Sequence, residues 1–290
     1  MKADEIKPKK KRKTGVIVLL IAVAVLTALF IDSSRRVVVT NYDLGYDTLP
    51  EAFEGFRIVE LSDLHMAEYG RDNARILELV KEQRPDIITL NGDFIEKRAD
   101  MDYGEQTALL KPFLMSLAEI APCYFVSGNH EWASGELPEL SALLENAGIK
   151  YMHNEFVLIG RAEEQIVLAG VEDPNGPADM LKPEELVDII ETAYPDSFRI
   201  LLAHRTYWMN IYPELKVNII FCGHAHGGVV RLPFLGGVFG TDMDFFPKYD
   251  GGVYNEGGYD MVLSRGLGGS VPMPRFLNNP EIVSVTLHKN

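Results

Sequence analysis

Five short polar clusters, each placed directly after an apolar run, constrain the fold of this chain more than any other feature. The clusters are Asp63-Leu64-His65, Gly92-Asp93, Gly128-Asn129-His130-Glu131, His204 and Gly223-His224-Ala225-His226. The β-branched or apolar composition of the runs before them predicts strands. The chain has 7 histidines, and five of them lie in these clusters. Since α/β folds place their sites at the carboxyl ends of strands, the pattern predicts one shared site.

Strand-like and helical patterns alternate along the first half of the chain. Strands are predicted at residues 57–61, 86–91 and 124–127, with helical stretches at residues 71–83 and 106–118 between them. This is the β-α-β-α-β order that opens α/β folds. The sequence therefore favours an α/β fold, and two sheets are compatible with it. The second half predicts strands with fewer helices between them, at residues 165–171, 199–203, 217–221, 260–264 and 282–287.

A basic and then apolar segment begins the chain. Residues 9–13 are lysines and one arginine, and residues 16–31 are apolar except for Thr27. Such a run is either a membrane anchor or a cleavable signal peptide; no convincing cleavage site follows it, so we favour an anchor. The lysine-rich end is expected to stay cytoplasmic, because positive charge marks that side of a membrane helix. The sequence thus predicts a single-pass cell-membrane protein whose body lies outside the cytoplasm.

Charge and cysteine content limit what the body of the protein can bind. The formal net charge is -14, and the first thirteen residues contribute five positive charges, so that the remainder carries -19. Such an acidic body repels phosphate backbones, which argues against nucleic acid as a partner. The 2 cysteines are interpreted as small buried core residues, and they predict no disulfide framework. No obligate protein partner is evident.

These features divide the chain into four parts. We predict a basic cytoplasmic tail at residues 1–13, a transmembrane signal anchor at 14–32, a juxtamembrane segment with the first strand at 33–54, and one large domain at 55–290. A body of that size is near the upper limit for a single hydrophobic core. The tether after the anchor is about five residues, or about 17 Å when extended, so the body is expected close to the bilayer.

The ordered clusters resemble the calcineurin-like metallophosphoesterase superfamily, whose signature is D-x-H, G-D, G-N-H-[ED], a lone His and G-H-x-H. Every part is present in order, and the resemblance covers essentially all of residues 55–290. The stretches that begin at Gly223 and Ser264 look like the YkuE-like, membrane-anchored bacterial subgroup. Two positions depart from that subgroup: Val229 stands where glutamine is usual, and Thr206 where proline is common. Neither is a ligand position, so the departures bear on substrate preference.

The resemblance implies a fold, a cofactor and a ligand set. The fold is a four-layer αββα sandwich of two mixed β-sheets flanked by helices, here preceded by one N-terminal transmembrane helix. The cofactor is two divalent metal ions, with manganese, iron or zinc left open because the ligands are imidazole, amide and carboxylate. Asp93 is expected to bridge the two ions, because a carboxylate has two oxygens. By analogy one ion takes Asp63, His65, Asp93 and His226, and the other takes Asp93, Asn129, His204 and His224.

The implied activity is metal-dependent hydrolysis of a phosphodiester or pyrophosphate. Hydroxide shared by the two ions attacks phosphorus in line, so no protein nucleophile is required. His130, next to Asn129, matches the family's non-ligand histidine and is expected to protonate the leaving oxygen or stabilise the transition state. A phosphomonoesterase at the same site, or a non-catalytic anchored protein that binds metal or phosphate, stays open as an alternative.

Residues near the last cluster bear on the substrate. Residues 234–254 mix glycines with phenylalanines and tyrosines, which suits either an apolar lid over a lipid-linked or cell-envelope phosphate or an ordinary packed loop. Arg231 and Arg275 are interpreted either as grips for a substrate phosphate or as surface residues. Glu131 is interpreted either as the partner of a metal-binding histidine or as a solvated residue. The predicted substrate is a phosphate ester whose attachment to a lipid the sequence leaves open.

Overall fold

Fourteen strands and seven α-helices make up the described part of the chain. The computed structural model describes residues 10–96, 101–241, 243–269 and 274–290, with side chains from residue 14 onward. The helices are α1 Lys10–Arg35, α2 Ala74–Gln83, α3 Tyr103–Ala118, α4 Asn129–Ser134, α5 Leu137–Asn146, α6 Pro183–Ala193 and α7 Trp208–Ile211. The strands are β1 Val38–Tyr46, β2 Phe56–Leu61, β3 Ile87–Asn91, β4 Cys123–Val126, β5 Lys150–Tyr151, β6 Glu155–Arg161, β7 Glu164–Gly170, β8 Arg199–Leu202, β9 Ile219–Cys222, β10 Arg231–Leu232, β11 Gly236–Gly237, β12 Gly252–Asn255, β13 Asp260–Leu263 and β14 Glu281–Lys289.

Most of the strands form two six-stranded mixed sheets. The first sheet has the order β1-β14-β2-β3-β4-β5, and its β14–β2 pair is antiparallel. The second sheet has the order β12-β13-β9-β8-β7-β6, with an antiparallel pair at each edge. Strands β2, β3 and β4 are parallel to one another, as are β8 and β9. The carboxyl ends of these five strands carry the five polar clusters.

Three apolar clusters fill the spaces between four layers. Side chains of the two facing sheets, such as Ile87 and Ile200, meet in the central cluster. The next residue of β3, Ile88, points to the opposite face and packs with Phe113 of α3, because strand side chains alternate. The outer face of the second sheet is covered by α6 and α7 through residues such as Val187. The fold is therefore mixed α/β with two mixed sheets flanked by helices, which confirms the prediction from the sequence.

Local sequence explains where several elements form. Strand β3 is buried at all its positions, as expected for a parallel strand covered on both faces. Helix α3 begins with a capping box, in which Asp102 accepts from the Glu105 amide and Glu105 accepts from the Asp102 amide. Helix α2 buries Ile76, Leu79 and Val80, which share one face at helical spacing. Helices α4, α5, α6 and α7 have no counterpart among the sequence predictions.

Helix α1 is long and apolar enough to cross a membrane. Its candidate span, Thr14–Arg35, has 22 residues and a length of about 33 Å, close to the roughly 30 Å hydrocarbon core of a bilayer. The most apolar part of this span is not covered by the rest of the protein. Its last turn contacts the domain, because Ser33 Oγ accepts a hydrogen bond from the Leu277 amide at 2.8 Å. One helix that could be a membrane anchor therefore precedes the α/β domain.

Candidate metal centre

The carboxyl ends of five strands meet on one edge of the sandwich. Strands β2, β3 and β4 belong to the first sheet, and β8 and β9 belong to the second, so the site lies where the two sheets meet. Each strand ends within three residues of a predicted ligand. The structure brings together all eight residues that the sequence predicted: Asp63, His65, Asp93, Asn129, His130, His204, His224 and His226.

One set of donor atoms, the first group, consists of Asp63, His65 and His226. The Nε2 atoms of His65 and His226 are 3.2 Å apart. Asp63 Oδ1 lies 3.5 Å from His226 Nε2 and 3.9 Å from His65 Nε2, and all three residues are buried. A cation with bonds of about 2.0–2.2 Å places neighbouring donors about 3.0–3.6 Å apart. The spacing of the first group is therefore close to that of donors around one cation.

A second group consists of Asp93, His204 and His224, whose ligand atoms lie within 4.8 Å of one another. His204 Nε2 is 3.1 Å from Asp93 Oδ2 and 3.2 Å from Asn129 Oδ1. The other ring nitrogen, His204 Nδ1, lies 2.8 Å from the carbonyl oxygen of Asn91, which fixes the orientation of the ring. The amide oxygen of Asn129 thus lies beside the three ligand atoms of this group and could be a fourth ligand atom for a metal.

Asp93 connects the two groups. Its Oδ2 atom lies 3.7 Å from His65 Nε2 in the first group and 3.1 Å from His204 Nε2 in the second. His130 stands at the same point, since its Nε2 is 4.0 Å from Asp93 Oδ2 and its ring meets the His65 ring edge to face. The His130 side chain is 22% exposed, whereas those of His65 and His204 are fully buried. Of these three rings, His130 is the one that substrate can reach.

The backbone at the site is strained at most of the ligand positions. Five of the seven predicted ligands have a positive φ, a conformation that costs non-glycine residues of the order of 1 kcal/mol or more. They are Asp63 (52°), His65 (45°), Asp93 (56°), His224 (70°) and His226 (49°). Such strain clusters at functional sites, where the surrounding structure holds a side chain in a required position.

Gly92 and Gly223 precede ligand positions at points where no side chain fits. A Cβ atom on Gly92, whose φ is +78°, would lie 2.5 Å from the Gly128 nitrogen and 2.8 Å from His204 Nδ1. A Cβ atom on Gly223 would collide with the carboxylate of Asp63. The G-D and G-H-x-H patterns therefore contain glycine because the strand ends pack closely against each other at the site.

Burial keeps three of the histidines uncharged. It lowers the pKa of His65 well below its usual range, and the neighbouring His226 ring lowers it further. Burial also lowers the pKa of His226, against the opposing effect of the Asp63 carboxylate. The pKa of His224 falls to about 2, through burial and the positive charges of His204 and Arg205. Neutral rings present the lone pair that a cation requires.

His204 is the exception. Burial alone would lower its pKa, but the Asp93 carboxylate reverses the effect and raises the pKa to about 10. Burial alone would raise the pKa of Asp93, yet the charged His204 ring holds that pKa well below its usual range. His204 and Asp93 are thus a buried ion pair at neutral pH. His204 has to lose a proton before its Nε2 can bind a metal.

Unpaired ring nitrogens test whether the site fits a cation. Among the described residues, Nδ1 of His224 is buried without a hydrogen-bond partner, whereas His65 and His226 turn Nε2 toward the first group. An unpaired buried polar atom costs about 1–3 kcal/mol. Arg205 Nη1 lies 3.2 Å from Nε2 of His224, so Nδ1 is the nitrogen of that ring left for a cation. The neutral rings and the carboxylate and amide oxygens fit divalent metals that accept mixed nitrogen and oxygen ligands.

Glu131 holds the loop that carries Asp93. Its buried carboxylate accepts hydrogen bonds from the amides of Asp93 (2.7 Å), Phe94 (2.8 Å) and Gly128 (2.7 Å). Burial and the nearby Asp93 carboxylate raise the pKa of Glu131 to about 7. The interpretation of Glu131 as a solvated residue is wrong, and its hydrogen bonds go to backbone amides instead of a histidine ring.

Arg205 and Asp173 form a contact that the sequence did not indicate. Arg205 Nε lies 2.6 Å from Asp173 Oδ2, and the Asp173 side chain is fully buried. The two residues are 32 positions apart, and the sequence signal for Arg205 was its place directly after His204. The contact with His224 places a fixed positive charge beside the second group.

Two arginines, Arg231 and Arg275, donate hydrogen bonds to the backbone of loops next to the site. The sequence left two interpretations open for each of them. Arg231 Nη1 donates hydrogen bonds to the carbonyl oxygens of Gly227 and Asp250. Arg275 is buried, and its Nε donates to the carbonyl oxygen of Gly268 at 2.9 Å. The interpretation of Arg275 as a surface residue is therefore wrong.

Comparison with known proteins gives consistent relatives. The chain is similar to the metallophosphoesterase YkuE of Bacillus subtilis, with 27% identity over 251 residues that cover 86% of this chain and 84% of that protein. It is similar to the phosphodiesterase YaeI of Escherichia coli, with 28% identity over 236 residues that cover 80% of this chain and 82% of that protein. It is also similar to the UDP-2,3-diacylglucosamine pyrophosphatase LpxG of Chlamydia muridarum, with 24% identity over 238 residues that cover 64% of this chain and 69% of that protein.

A family model settles the class. The model described as calcineurin-like phosphoesterase matches residues 56–228, which begin with β2 and include all five polar clusters. The match covers more than half of the chain, and it agrees with the resemblance carried by the motifs. The chain belongs to the calcineurin-like phosphoesterase family and is a metallophosphoesterase, a hydrolase of phosphoric esters.

Proposed function

We propose that this metallophosphoesterase cleaves a phosphodiester or a pyrophosphate with two divalent cations at the candidate metal centre. The observation that carries the proposal is the position of Asp93, whose Oδ2 lies near His65 of the first group and His204 of the second. A carboxylate between two sets of donors suits two cations held about 3.5–4 Å apart. The similarity to a protein named phosphodiesterase favours a diester over a monoester.

Each cation has four protein donors in this proposal, and the two sets of donors share Asp93. Manganese, iron and zinc all accept mixed imidazole, carboxylate and amide ligands, so the donor set supports any of the three. Four protein donors leave about two positions on a six-coordinate cation for water and substrate. The sets are Asp63, His65, Asp93 and His226 for one cation, and Asp93, Asn129, His204 and His224 for the other.

The chemistry divides between the cations and the side chains. Bound cations would supply a water of lowered pKa and positive charge for the phosphoryl oxygens. We assign His130 as the catalytic residue, because its ring lies at the accessible side of the centre and can give a proton to the leaving oxygen. The Glu131 carboxylate keeps the Asp93 loop in place by accepting hydrogen bonds from the backbone amides of Asp93 and Phe94. The buried side chains around the centre exclude bulk water, which strengthens these electrostatic effects.

We further propose that α1 anchors the protein in the cell membrane, with the hydrolase domain outside the cytoplasm. The lysines of residues 9–13 precede the apolar span, and positive charge favours the cytoplasmic side. The division into a tail at 1–13, an anchor at 14–32, a juxtamembrane segment at 33–54 and a domain at 55–290 follows from this orientation and stays a prediction.

A lipid-linked or cell-envelope phosphate is the substrate class that we favour. One similar protein is named a pyrophosphatase of UDP-2,3-diacylglucosamine, a substrate that carries acyl groups. A domain held close to the bilayer by a short tether meets substrates of this kind at the membrane surface. The acidic body argues against nucleic acid as the diester.

The test is turnover by the full chain after removal and return of metal. Chelator-treated protein with Mn²⁺ added back should hydrolyse bis(p-nitrophenyl) phosphate, and should prefer it to p-nitrophenyl phosphate. Faster cleavage of the monoester would replace the diesterase assignment by a phosphomonoesterase. A folded protein that binds metal and cleaves neither ester with any divalent ion would contradict the proposal and favour the non-catalytic alternative. The variant His204→Ala should lose this turnover, and His288→Ala is its matched control, because His288 lies on the surface outside the centre.

A further inference from the structure

A cluster of exposed apolar side chains follows the last metal-binding loop. We name it the apolar rim and define it as Phe234, Leu235, Met243, Phe245 and Phe246. Phe234 is fully exposed, and between 56% and 75% of the accessible surface of the other four residues is exposed. Single exposed apolar residues are ordinary, but five large ones within thirteen positions mark a surface that binds something apolar.

The apolar rim is built directly on the loop of the metal centre. The amides of Val238 and Phe239, between the two halves of the rim, donate to the carbonyl oxygen of Gly228 at 3.3 and 3.2 Å. Gly228 is the second residue after His226. The rings of Phe239 and Phe245 also contact each other, with their centroids 5.4 Å apart. The chain between the two halves of the apolar rim is therefore hydrogen-bonded to the loop that carries His226.

A small cleft of about 130 Å³ is lined partly by the rim segment, residues 234–241 and 243–246, and partly by neighbours of the predicted ligands. One wall contains Gly240 and Asp244 of the rim segment. The other wall contains Thr206, two residues after His204, and Ala225, which separates His224 from His226. The rim segment therefore lies next to the loops that carry His204, His224 and His226.

The residues just before the apolar rim are connected to the end of the candidate membrane helix through residues 276–279. Ser33 in the last turn of α1 binds the Leu277 amide, and Asn279 Nδ2 donates to the carbonyl oxygen of Asp32 at 2.9 Å. Phe276, next to Leu277, forms a parallel bridge with Val230. From the strand spacing and the extended chain length, Phe234 is no more than about 30 Å from Ser33.

We propose that the apolar rim lies in the interfacial region of the bilayer that α1 crosses, and that the metal centre receives its phosphate ester from that surface. The fixed end of α1 holds this side of the domain at the membrane, which favours the bilayer over a second copy of the chain as the occupant. Apolar side chains beside a membrane helix gain free energy by entering the interface. The part of this inference that concerns the substrate rests on the proposed hydrolase function.

Contact with lipid can be measured without any enzymatic activity. Full-length Phe234→Trp and Phe245→Trp variants are reconstituted into nanodiscs that contain lipid with a nitroxide near the headgroup. Ile189→Trp is the matched control, because Ile189 is 49% exposed and lies on α6, outside the apolar rim. The wild-type signal of the 2 native tryptophans is subtracted. We expect the added fluorescence at positions 234 and 245 to be quenched at least about threefold more than at position 189. Equal quenching at the three positions would overturn the proposal, whether the rim then faces water or another copy.

Substrate delivery is tested by two esters with the same leaving group. The double variant Phe234→Ser, Phe245→Ser is compared with the wild type on the p-nitrophenyl ester of phosphatidic acid in the same nanodiscs and on soluble bis(p-nitrophenyl) phosphate. We expect about a tenfold or larger loss on the lipid ester and little change on the soluble one. Equal losses on both esters would mean that the rim shapes the centre and would overturn delivery from the membrane. If the wild type cleaves neither ester, the proposed function fails, and the quenching result still decides whether the rim contacts lipid.

Discussion

The two groups of the metal centre differ in how ready they are to bind a cation. The first group has two neutral buried rings, His65 and His226, whose Nε2 atoms face each other. In the second group, His204 holds a proton against Asp93, and a guanidinium group touches His224. Both groups contain two histidines and one aspartate, so the difference comes from their neighbours. We therefore expect the first cation to bind more tightly than the second.

Asp93→Asn should have the largest effect, because it removes the charge that both groups share. We expect turnover to fall by at least about 10³-fold, since cation-derived charge stabilisation is worth several kcal/mol and each 1.4 kcal/mol is a factor of ten. Initial rates on bis(p-nitrophenyl) phosphate at saturating Mn²⁺ provide the measurement. Thermal unfolding of the same preparation controls for misfolding. Turnover within tenfold of the wild type would show that the groups do not depend on Asp93.

His130→Ala should lower the rate without removing either cation. Loss of a positioned proton donor costs about 10²–10⁴-fold in rate. His130 Nε2 is 4.0 Å from Asp93 Oδ2 and lies on the accessible side of the centre, so the donors of both groups should stay in place. The measurement is kcat together with bound metal per chain. If metal is lost in parallel with the rate, His130 belongs to the ligand set and not to the proton transfer.

The pH dependence of metal affinity should distinguish the two groups. The raised pKa of His204, about 10, means that this ring is protonated across the neutral range and that its proton has to leave when a metal binds. The affinity of the second group should therefore rise with pH, by up to about tenfold per pH unit between pH 6 and 8. The lowered pKa values of His65 and His226 predict a flatter profile for the first group. Titration of metal-free protein with Mn²⁺ at several pH values, followed by calorimetry, tests this; equal slopes would contradict the difference between the groups.

Neutral replacement of the Arg205–Asp173 pair should have the smallest effect. The double variant Arg205→Gln, Asp173→Asn leaves no buried charge unpaired and removes the guanidinium that lies 3.2 Å from His224. We expect second-group affinity to rise by about two- to tenfold and first-group affinity to stay the same. Unchanged or weaker binding at the second group would show that Arg205 does not oppose the cation there. The Arg161→Gln variant, at the exposed end of β6, controls for loss of one arginine.

The positions of the predicted ligands could be read from the sequence because each follows a strand with a clear pattern. The run before Asp93 is apolar and β-branched, and strand β3 ends two residues before this aspartate, as predicted. Parallel neighbours bring their carboxyl ends together, so Asp63, Asp93 and Asn129 were expected to lie close to one another. Their partners from the second sheet, His204 and His224, were expected at the same site because they also follow strands, and the family resemblance supplied the assignment of each residue to a cation.

Contacts that depend on loop conformation could not be predicted. Glu131 binds the amides of Asp93 and Phe94 because the backbone of that loop turns through a positive φ, which no sequence pattern specifies. Asp173 follows strand β7 and Arg205 follows the neighbouring parallel strand β8. Neither residue belongs to a periodic sequence pattern that would have predicted their contact. Helix α6 was missed although its sequence carries a helical signal, since Pro183 stands at its first position and Leu186, Val187 and Ile190 share one buried face at helical spacing.

Metal stoichiometry of the purified full-length chain tests the central claim most directly. At saturating Mn²⁺, inductively coupled plasma mass spectrometry should find two ions per wild-type chain, one in His226→Ala and one in His204→Ala. The single remaining ion in His204→Ala should be the more tightly held, because it occupies the first group. One ion or none in the wild type, or two ions retained in either variant, would contradict a centre in which these side chains hold two cations.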